Sequence, residues 1–338
     1  MVMDFNIMII KNTTSIGRLR CHIEELEPDL FFSLTDYLNN YFFSNNPEKI
    51  LEFYNDFDTR EQLIEWMKQR PKGAYYIREV EGDKDIVVVI PTSDYNGRFA
   101  KICREEIYKG LQIIFVESGE FPDPYFNYGH NCNLGIIRAM EYNPKWVVIS
   151  NDDMEMIDTV EVLREQLLKL DEQRYDVVFT EPSRYHSSPE KFAVPNILYY
   201  LYYNTVNINY RRVLLKLYKK YGVKYLMAPK AGKFSKLLKK GYEYTEIQSF
   251  GIYSSNWIAK TNGKLYDESF INAAEDTDLS IRIHYGHGRT IKINYRIGDL
   301  IGSTLGTGIP RELRSVASIS YLNYKWVSSM ERVMKDSS

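Results

Sequence analysis

From Asp85 onward the chain alternates between two patterns. "DIVVVIP" (85–91), "LQIIFVES" (111–118), "KWVVIS" (145–150) and "YDVVFTEP" (175–182) are short runs that are apolar at most positions, the pattern of strands covered on both faces. The stretches between them space apolar residues as a helix does. "GRFAKICREEIYKG" puts Phe99, Ile102, Cys103 and Ile107 on one face, with Gly110 at the exit. "NCNLGIIRAMEYNP" ends at Asn143-Pro144, and "DTVEVLREQLLKLDEQ" turns Val160, Leu163, Leu167 and Leu170 inward. Strands alternating with helices of this length predict βαβ units: an α/β fold with a mainly parallel sheet flanked by helices.

The flanks follow other patterns. Residues 1 to about 80 read as mostly helical, with "PEKILEFYNDF" and "TREQLIEWMKQR" amphipathic and Pro71-Lys72-Gly73 closing the second. Between 183 and 249 the alternation breaks into a basic, tyrosine-rich insertion, and Arg211–Lys240 holds basic side chains but no acidic one. Order returns in "FGIYSSNWIAKTNGKLYDESF", where Asn262-Gly263 predicts a tight hairpin. "AEDTDLSIRIHYGHG" predicts a helix, "RTIKINYRIG" a last strand, and the tail from Pro310 an amphipathic helix. The expected organisation is a helical attachment (1–80), a main domain (81–308) and a C-terminal helix (309–338). The main domain divides into a first half (81–182), the insertion (183–249) and a second half (250–308).

Composition narrows the partners. A chain of 338 residues, 44% hydrophobic, can bury a large core without staples. Lys+Arg 43 against Asp+Glu 45 leaves a formal net charge of -2, so nucleic acid is not the expected partner of the whole chain. The insertion alone could meet an anionic membrane or a lipid-phosphate acceptor, dock an acidic protein or nucleic acid, or form a solvated lysine face. Cys21, Cys103 and Cys132 lack metal-pair spacing and fit a reducing compartment. No apolar run approaches the roughly 18 residues of a membrane span, and "MVMDFNIMIIKNTT" lacks the apolar centre of a secretory signal. The expected location is cytoplasmic, with peripheral membrane contact as one reading of the insertion. The histidines show no zinc-ligand pairing, and His284 and His287 read as surface or structural groups.

The strand ends carry the candidate chemistry. In parallel sheets, ligands bind beyond the carboxyl ends of the strands. Pro91-Thr92-Ser93-Asp94 follows the first run, Glu117-Ser118 ends the second, and Asn151-Asp152-Asp153 follows the third. Two adjacent carboxylates at the edge of a core need compensation by water or by a cation.

Five motifs in order, "VVVIPTSDYNG", "IIFVESG", "NCNLGIIRAM", "WVVISNDDMEM" and "GKLYDESFINAAEDTDLSIR", resemble family 2 glycosyltransferases over residues 84 to 305. The resemblance implies the GT-A fold, a Rossmann-like α/β architecture, and a metal-dependent enzyme. Its reaction, inverting by the same resemblance, moves a sugar from a nucleoside-diphosphate sugar to a hydroxyl of a glycan, lipid-linked or protein acceptor. In that family an Asp-x-Asp holds Mn²⁺ or Mg²⁺. Here Asn151 takes its first position, so the resemblance makes Asp153 the direct ligand and puts Asp152 near the ribose or metal; a solvated strand-end turn is the alternative. It gives Pro91, Thr92, Asp94, Tyr95 and Glu117 to the nucleotide, with Thr92 equally readable as a turn residue. Asn133 and Gly135 match a family helix start near the diphosphate, or Gly135 serves close packing. Asp276 becomes the general base beside Glu275, and helix-start acids are the alternative. Arg282 fits a structural salt bridge. Asp299 falls where relatives carry a histidine that completes the metal or phosphate site. A sugar-nucleotide pyrophosphorylase is the alternative enzyme, although "PTSDYNGR" lacks its Gly-rich loop. A non-catalytic carbohydrate- or partner-binding protein on a transferase fold is the alternative of another class.

Overall fold

The computed structural model describes residues 28–119, 123–183, 186–192, 242–300 and 308–336. Its centre is β2 (Asp83–Thr92), which pairs in parallel with β3 (Leu111–Ser118) and β4 (Trp146–Ser150). All seven residues from Ile86 to Thr92 are buried, as the unbroken apolar run predicts. Ile86, Val88, Ile90, Phe115 and Trp146 enter one hydrophobic cluster with Leu163 and Leu167 of α6 (Val160–Leu168). Val87, Val89, Ile114, Val116, Val147 and Ile149 enter the other, beneath α5 (Tyr128–Met140).

The sheet order is β1–β3–β2–β4–β9–β6–β10, completed by β1 (Tyr75–Val80), β6 (Val177–Phe179), β9 (Phe250–Ser254) and β10 (Thr290–Lys292). β1 and β9 run against the other strands, and the sheet is otherwise parallel. Two ribbons lie outside it: β5 (Met154–Met156) with β11 (Ile297–Asp299), and β7 (His186–Phe192) with β8 (Tyr242–Ile247).

α1 (Pro28–Phe42), α2 (Pro47–Asn55) and α3 (Arg60–Gln69) share a cluster with α9 (Gly308–Asp336). Phe42, Phe53 and Trp66 meet Ala317 and Tyr321 there, together with Ile281 of α8 (Glu275–Tyr285). Arg314 adds hydrogen bonds to the carbonyls of Phe42, Phe43 and Ser44. The N-terminal helices therefore form one packed body with the C-terminal helix. Among the described residues, no helix is long and apolar enough to cross a membrane.

Four local expectations change. Besides α1, α2 and α3, the N-terminal region contains a strand that the sequence pattern does not predict: β1 lies at the sheet edge, and its exposed Tyr75, Tyr76 and Ile77 hide the usual apolar signal. Phe99 is 40% exposed, because the inward face of α4 (Arg98–Ile102) and the π-turn after it centres on Ala100, Cys103 and Ile107. Asn262-Gly263 closes no hairpin. Ser254 caps α7 (Ser255–Lys260), and Asn262 (φ 54) and Gly263 (φ 74) return their N–H groups to Ala259 and Ile258. The left-handed residues that a tight hairpin needs also end helices. Finally, α5 starts at Tyr128, capped by Asn127, so Asn133 and Gly135 lie inside the helix rather than at its start. The basic stretch Arg211–Lys240 lies outside the described residues, as does Cys21.

Gly135 is a packing residue. A Cβ there would stand 2.2 Å from Val89 Cγ1 and 3.0 Å from Val116 Cγ2. Gly135→Ala is expected to cost about 1–3 kcal/mol of stability through overpacking, measurable by chemical denaturation. A gain in stability would contradict this account of the helix–sheet contact.

Candidate active site

The polar groups after β2, β3 and β4 meet at one end of the sheet. The Thr92 hydroxyl donates to Asp152 Oδ2 at 2.7 Å, and the Cys103 thiol donates to the Asp152 carbonyl at 3.3 Å. Asp152 is thus held by both neighbouring elements. Burial pushes its carboxyl up to about 6 against the pull of the Thr92 hydroxyl, and the Asp153 charge adds to the rise. Asp153 is half-buried, and its carbonyl accepts from the Leu300 N–H at 2.7 Å.

The nucleotide candidates divide by role. Pro91 is buried in β2 opposite Val116. Asp94 is exposed and accepts from the Asn96 N–H at 2.9 Å, which shapes the loop after β2. Glu117 Oε1 accepts from the Tyr95 N–H at 2.9 Å, and Oε2 pairs with Arg78 Nε at 3.1 Å. Glu117 therefore fixes the loop that carries Tyr95. The Tyr95 ring packs edge-on against Phe115 at 5.3 Å, with the Arg104 guanidinium 4.8 Å from its centroid. Asn133 works elsewhere: its amide binds the Tyr266 carbonyl and Glu268 Oε1, and its carbonyl accepts from the Tyr266 N–H.

Asp299 joins a different group from Asp152 and Asp153. Its carboxylate accepts from Ser183 at 3.3 Å and from Ser249, and stands 3.3 Å from His186 Nδ1. Register explains the separation: Asp299 faces Met154 across the β5–β11 ribbon, one residue beyond Asp153, and adjacent residues on a strand point to opposite faces. Among the described residues, no three His, Cys, Asp or Glu side chains gather as a metal-ligand group. The donor set suited to a divalent cation is thus the adjacent pair Asp152 and Asp153. Hard cations held by one or two carboxylates complete their shell with substrate phosphate and water. A cation there would relieve the cost of burying Asp152 and its repulsion by Asp153.

A second pair of acids stands nearby. The Asn151 N–H donates to the Ser249 carbonyl at 2.8 Å, which joins the end of β4 to the turn between β8 and β9. The Ser280 hydroxyl of α8 accepts from the Ile247 N–H at 2.9 Å and donates to the Asp276 carbonyl at 2.7 Å. These bonds dock the first turn of α8 beside the strand ends. The helix begins under backbone strain, with Ala274 at φ 64 and no side-chain cap; such strain clusters at functional sites. Glu275 Oε2 and Asp276 Oδ1 are sealed from solvent without hydrogen-bond partners. Burial pushes Glu275 up to about 7. Burial, then the Glu275 and Glu246 charges, holds Asp276 well above the usual carboxylate range. The helix dipole favours acids at this position, but desolvation and repulsion outweigh it here.

The other acids of "DESFINAAEDTDLSIR" are structural. Asp278 is fully buried and meets Arg282 Nε at 2.9 Å, Lys325 Nζ at 2.8 Å and Trp326 Nε1 at 2.8 Å. Asp267 receives Tyr321 and Lys325, and Glu268 receives His130 and Asn133. The His130 hydrogen bond leads in holding Glu268 down at about 2. Arg282 forms the expected structural ion pair. Sequence reasoning missed Cys103, Ser249, Ser183 and His186 as parts of this end of the sheet, since isolated polar residues carry no pattern. No protein-family model and no curated protein matches the chain.

Proposed function

We propose that this end of the sheet binds a nucleoside-diphosphate sugar together with Mn²⁺ or Mg²⁺ and transfers the glycosyl group to an acceptor hydroxyl, on a fold of the GT-A type. The observation that carries the reading is the docking of two acid pairs of different character at one sheet end. Asp152 and Asp153 are suited to a cation, and Glu275 and Asp276 have oxygens that the protein leaves without partners. The acceptor class implied is a glycan, a lipid-linked acceptor or a protein.

The residues divide the work as follows. Asp152 and Asp153 would hold the cation, and Thr92 fixes the orientation of Asp152. The loop held by Glu117 presents Tyr95 to the nucleotide. When bound, the cation supplies Lewis-acid stabilisation of the departing diphosphate. Asp276, ionised, takes the proton of the acceptor hydroxyl. The acceptor oxygen then bonds to the anomeric carbon while the bond from that carbon to the diphosphate oxygen breaks, and the electron pair leaves with the diphosphate. A carboxylate whose proton affinity is raised by burial is a stronger base, once ionised, than an exposed one.

Asp153→Ala tests the cation half of the site. Asp153 is half-buried at a strand end, so the variant is expected to fold, and its nucleoside-diphosphate affinity in Mn²⁺ is expected to fall to the cation-free value. Calorimetry that shows unchanged Mn²⁺-dependent affinity in a folded variant would remove Asp153 from the site.

A further inference from the structure

The Asp299 carboxylate lies between the two backbone contacts that hold the ends of the turn 151–153. At one end, the Asn151 N–H donates to the Ser249 carbonyl at 2.8 Å, and the Ser249 hydroxyl donates to Asp299 Oδ1. At the other end, the Asp153 carbonyl accepts at 2.7 Å from the N–H of Leu300, the residue after Asp299. Asn151, Ser249, Asp299, Leu300 and Asp153 thus close a ring of contacts around the turn. Within it, the Ser150 hydroxyl donates to the Asn151 carbonyl at 2.8 Å, and Thr92 and Cys103 hold Asp152. Asp299 is itself held from the side of β7. Ser183 Oγ stands 3.3 Å from Asp299 Oδ2 and 2.8 Å from His186 Nδ1, and the His186 N–H donates to Ser183 Oγ at 3.2 Å. The Asp299 side chain is only 5% exposed. A buried charge needs donors, and this one draws them from separate segments and so joins them.

We propose that Asp299 is a positioning residue for the cation pair: it clamps both ends of the turn 151–153 and so fixes the backbone from which the Asp153 carboxylate projects, without ligating the cation itself. Two observations separate a clamp from a ligand. Both Asp299 oxygens already accept from protein hydroxyls, Oδ1 from Ser249 and Oδ2 from Ser183. Across the β5–β11 ribbon Asp299 faces Met154, not Asp153, and neighbours on a strand point to opposite faces. What Asp299 offers Asp153 is therefore backbone order. A ligand on a loose turn has to be ordered when the cation binds, and that entropy is subtracted from the affinity. A turn fixed beforehand avoids the loss. The groups that orient metal ligands typically change metal affinity about 10–100-fold when they are removed.

The proposal rests on the reading of Asp152 and Asp153 as the cation pair, and two measurements on the full chain keep the two apart. The first is amide hydrogen exchange without metal, read on peptides that contain Asn151 and Leu300, for the wild type, Asp299→Ala, Ser249→Ala and Arg314→Ala. Arg314 binds the carbonyls of Phe42 and Ser44 in the contact of α1 with α9, so its variant reports what lost stability alone does. In Asp299→Ala both amides are expected to exchange about tenfold faster or more, the value of one hydrogen bond to a charged group. In Ser249→Ala the Asn151 amide should speed up more than the Leu300 amide. The second measurement is Mn²⁺ affinity, from the paramagnetic resonance signal of free Mn²⁺. It should fall about 10–100-fold in Asp299→Ala, fall also in Ser249→Ala, and stay at the wild-type value in Arg314→Ala. Exchange in Asp299→Ala that only matches Arg314→Ala would overturn the clamp, whatever Mn²⁺ does; weaker Mn²⁺ binding in that case would make Asp299 a ligand. Faster exchange with unchanged Mn²⁺ affinity would overturn the positioning role. Wild-type protein that binds no Mn²⁺ would sink the cation reading instead, and exchange would then decide alone whether Asp299 clamps the turn. Ser249→Ala removes a single hydroxyl and carries the test if Asp299→Ala does not fold.

Discussion

Asp276→Asn is expected to lower glycosyl transfer by about 10²–10⁴-fold, the usual contribution of a positioned base, and to raise stability at pH 8. The two effects have one cause. Asp276 sits beside Glu275 with an oxygen sealed and unpartnered, and both carboxyls are pushed up by burial. Unfolded, Glu275 titrates at its ordinary 4.5; folded, it titrates at about 7. Protonation thus favours the folded state at low pH, and that contribution is lost as pH rises through 7. At one pKa unit per 1.36 kcal/mol, Glu275 alone contributes at most about 3 kcal/mol to this difference. The amide keeps the shape, removes the charge, and frees Glu275 from one repulsion. Transfer rate and unfolding midpoint measured on the same preparation check both signs. Near-normal transfer would exclude Asp276 as the base, and a fall in stability at pH 8 would contradict the electrostatic account.

Asp278→Ala is expected to have the largest effect on stability, about 3–5 kcal/mol, the usual cost of breaking a buried ion pair by removing one partner. Asp278 is fully buried and receives Arg282, Lys325 and Trp326. Its removal leaves Arg282 with only the Leu265 carbonyl and Trp326 without its acceptor, while Lys325 retains Asp267. Because Lys325 and Trp326 belong to α9, the loss should appear as a lower denaturation midpoint with earlier proteolysis of the C-terminal helix. Asp278→Asn, which preserves the shape, should cost less. A change within about 0.5 kcal/mol, ordinary for a surface substitution, would refute the role of Asp278 as the clasp between α8 and α9. Two acids two residues apart thus do opposite work: Asp276 has a sealed oxygen without a partner, and Asp278 is saturated with partners.

The centre of this fold was legible in the sequence because strands buried on both faces cannot hide. Ile86–Ile90, Ile113–Val116 and Trp146–Ile149 are apolar at each position, and all are buried. The carboxylates after Ser150 stood out because a core strand stopped at charge. β1 was not legible, since an edge strand with exposed tyrosines carries neither run nor alternation. Asn262-Gly263 pointed to a hairpin because left-handed residues serve turns and helix ends alike, and only the Ser254 cap decides between them. The place of Asp299 depended on register with β5, and its partners Ser183 and Ser249 lie far away along the chain. Likewise, neither Gly135 as a packing residue nor Tyr253 reaching over Gly251 has any signature before the fold is known.

The central claim is tested most directly by incubating the purified full chain with Mn²⁺ and each of a panel of nucleoside-diphosphate sugars, and measuring nucleoside-diphosphate release with and without acceptor hydroxyls. The account predicts release from at least one donor, abolished by chelation and by Asp153→Ala, and stimulated by an acceptor in the wild type but not in Asp276→Asn. Folded wild-type protein that neither binds nor consumes any donor of the panel in Mn²⁺ or Mg²⁺ would contradict it.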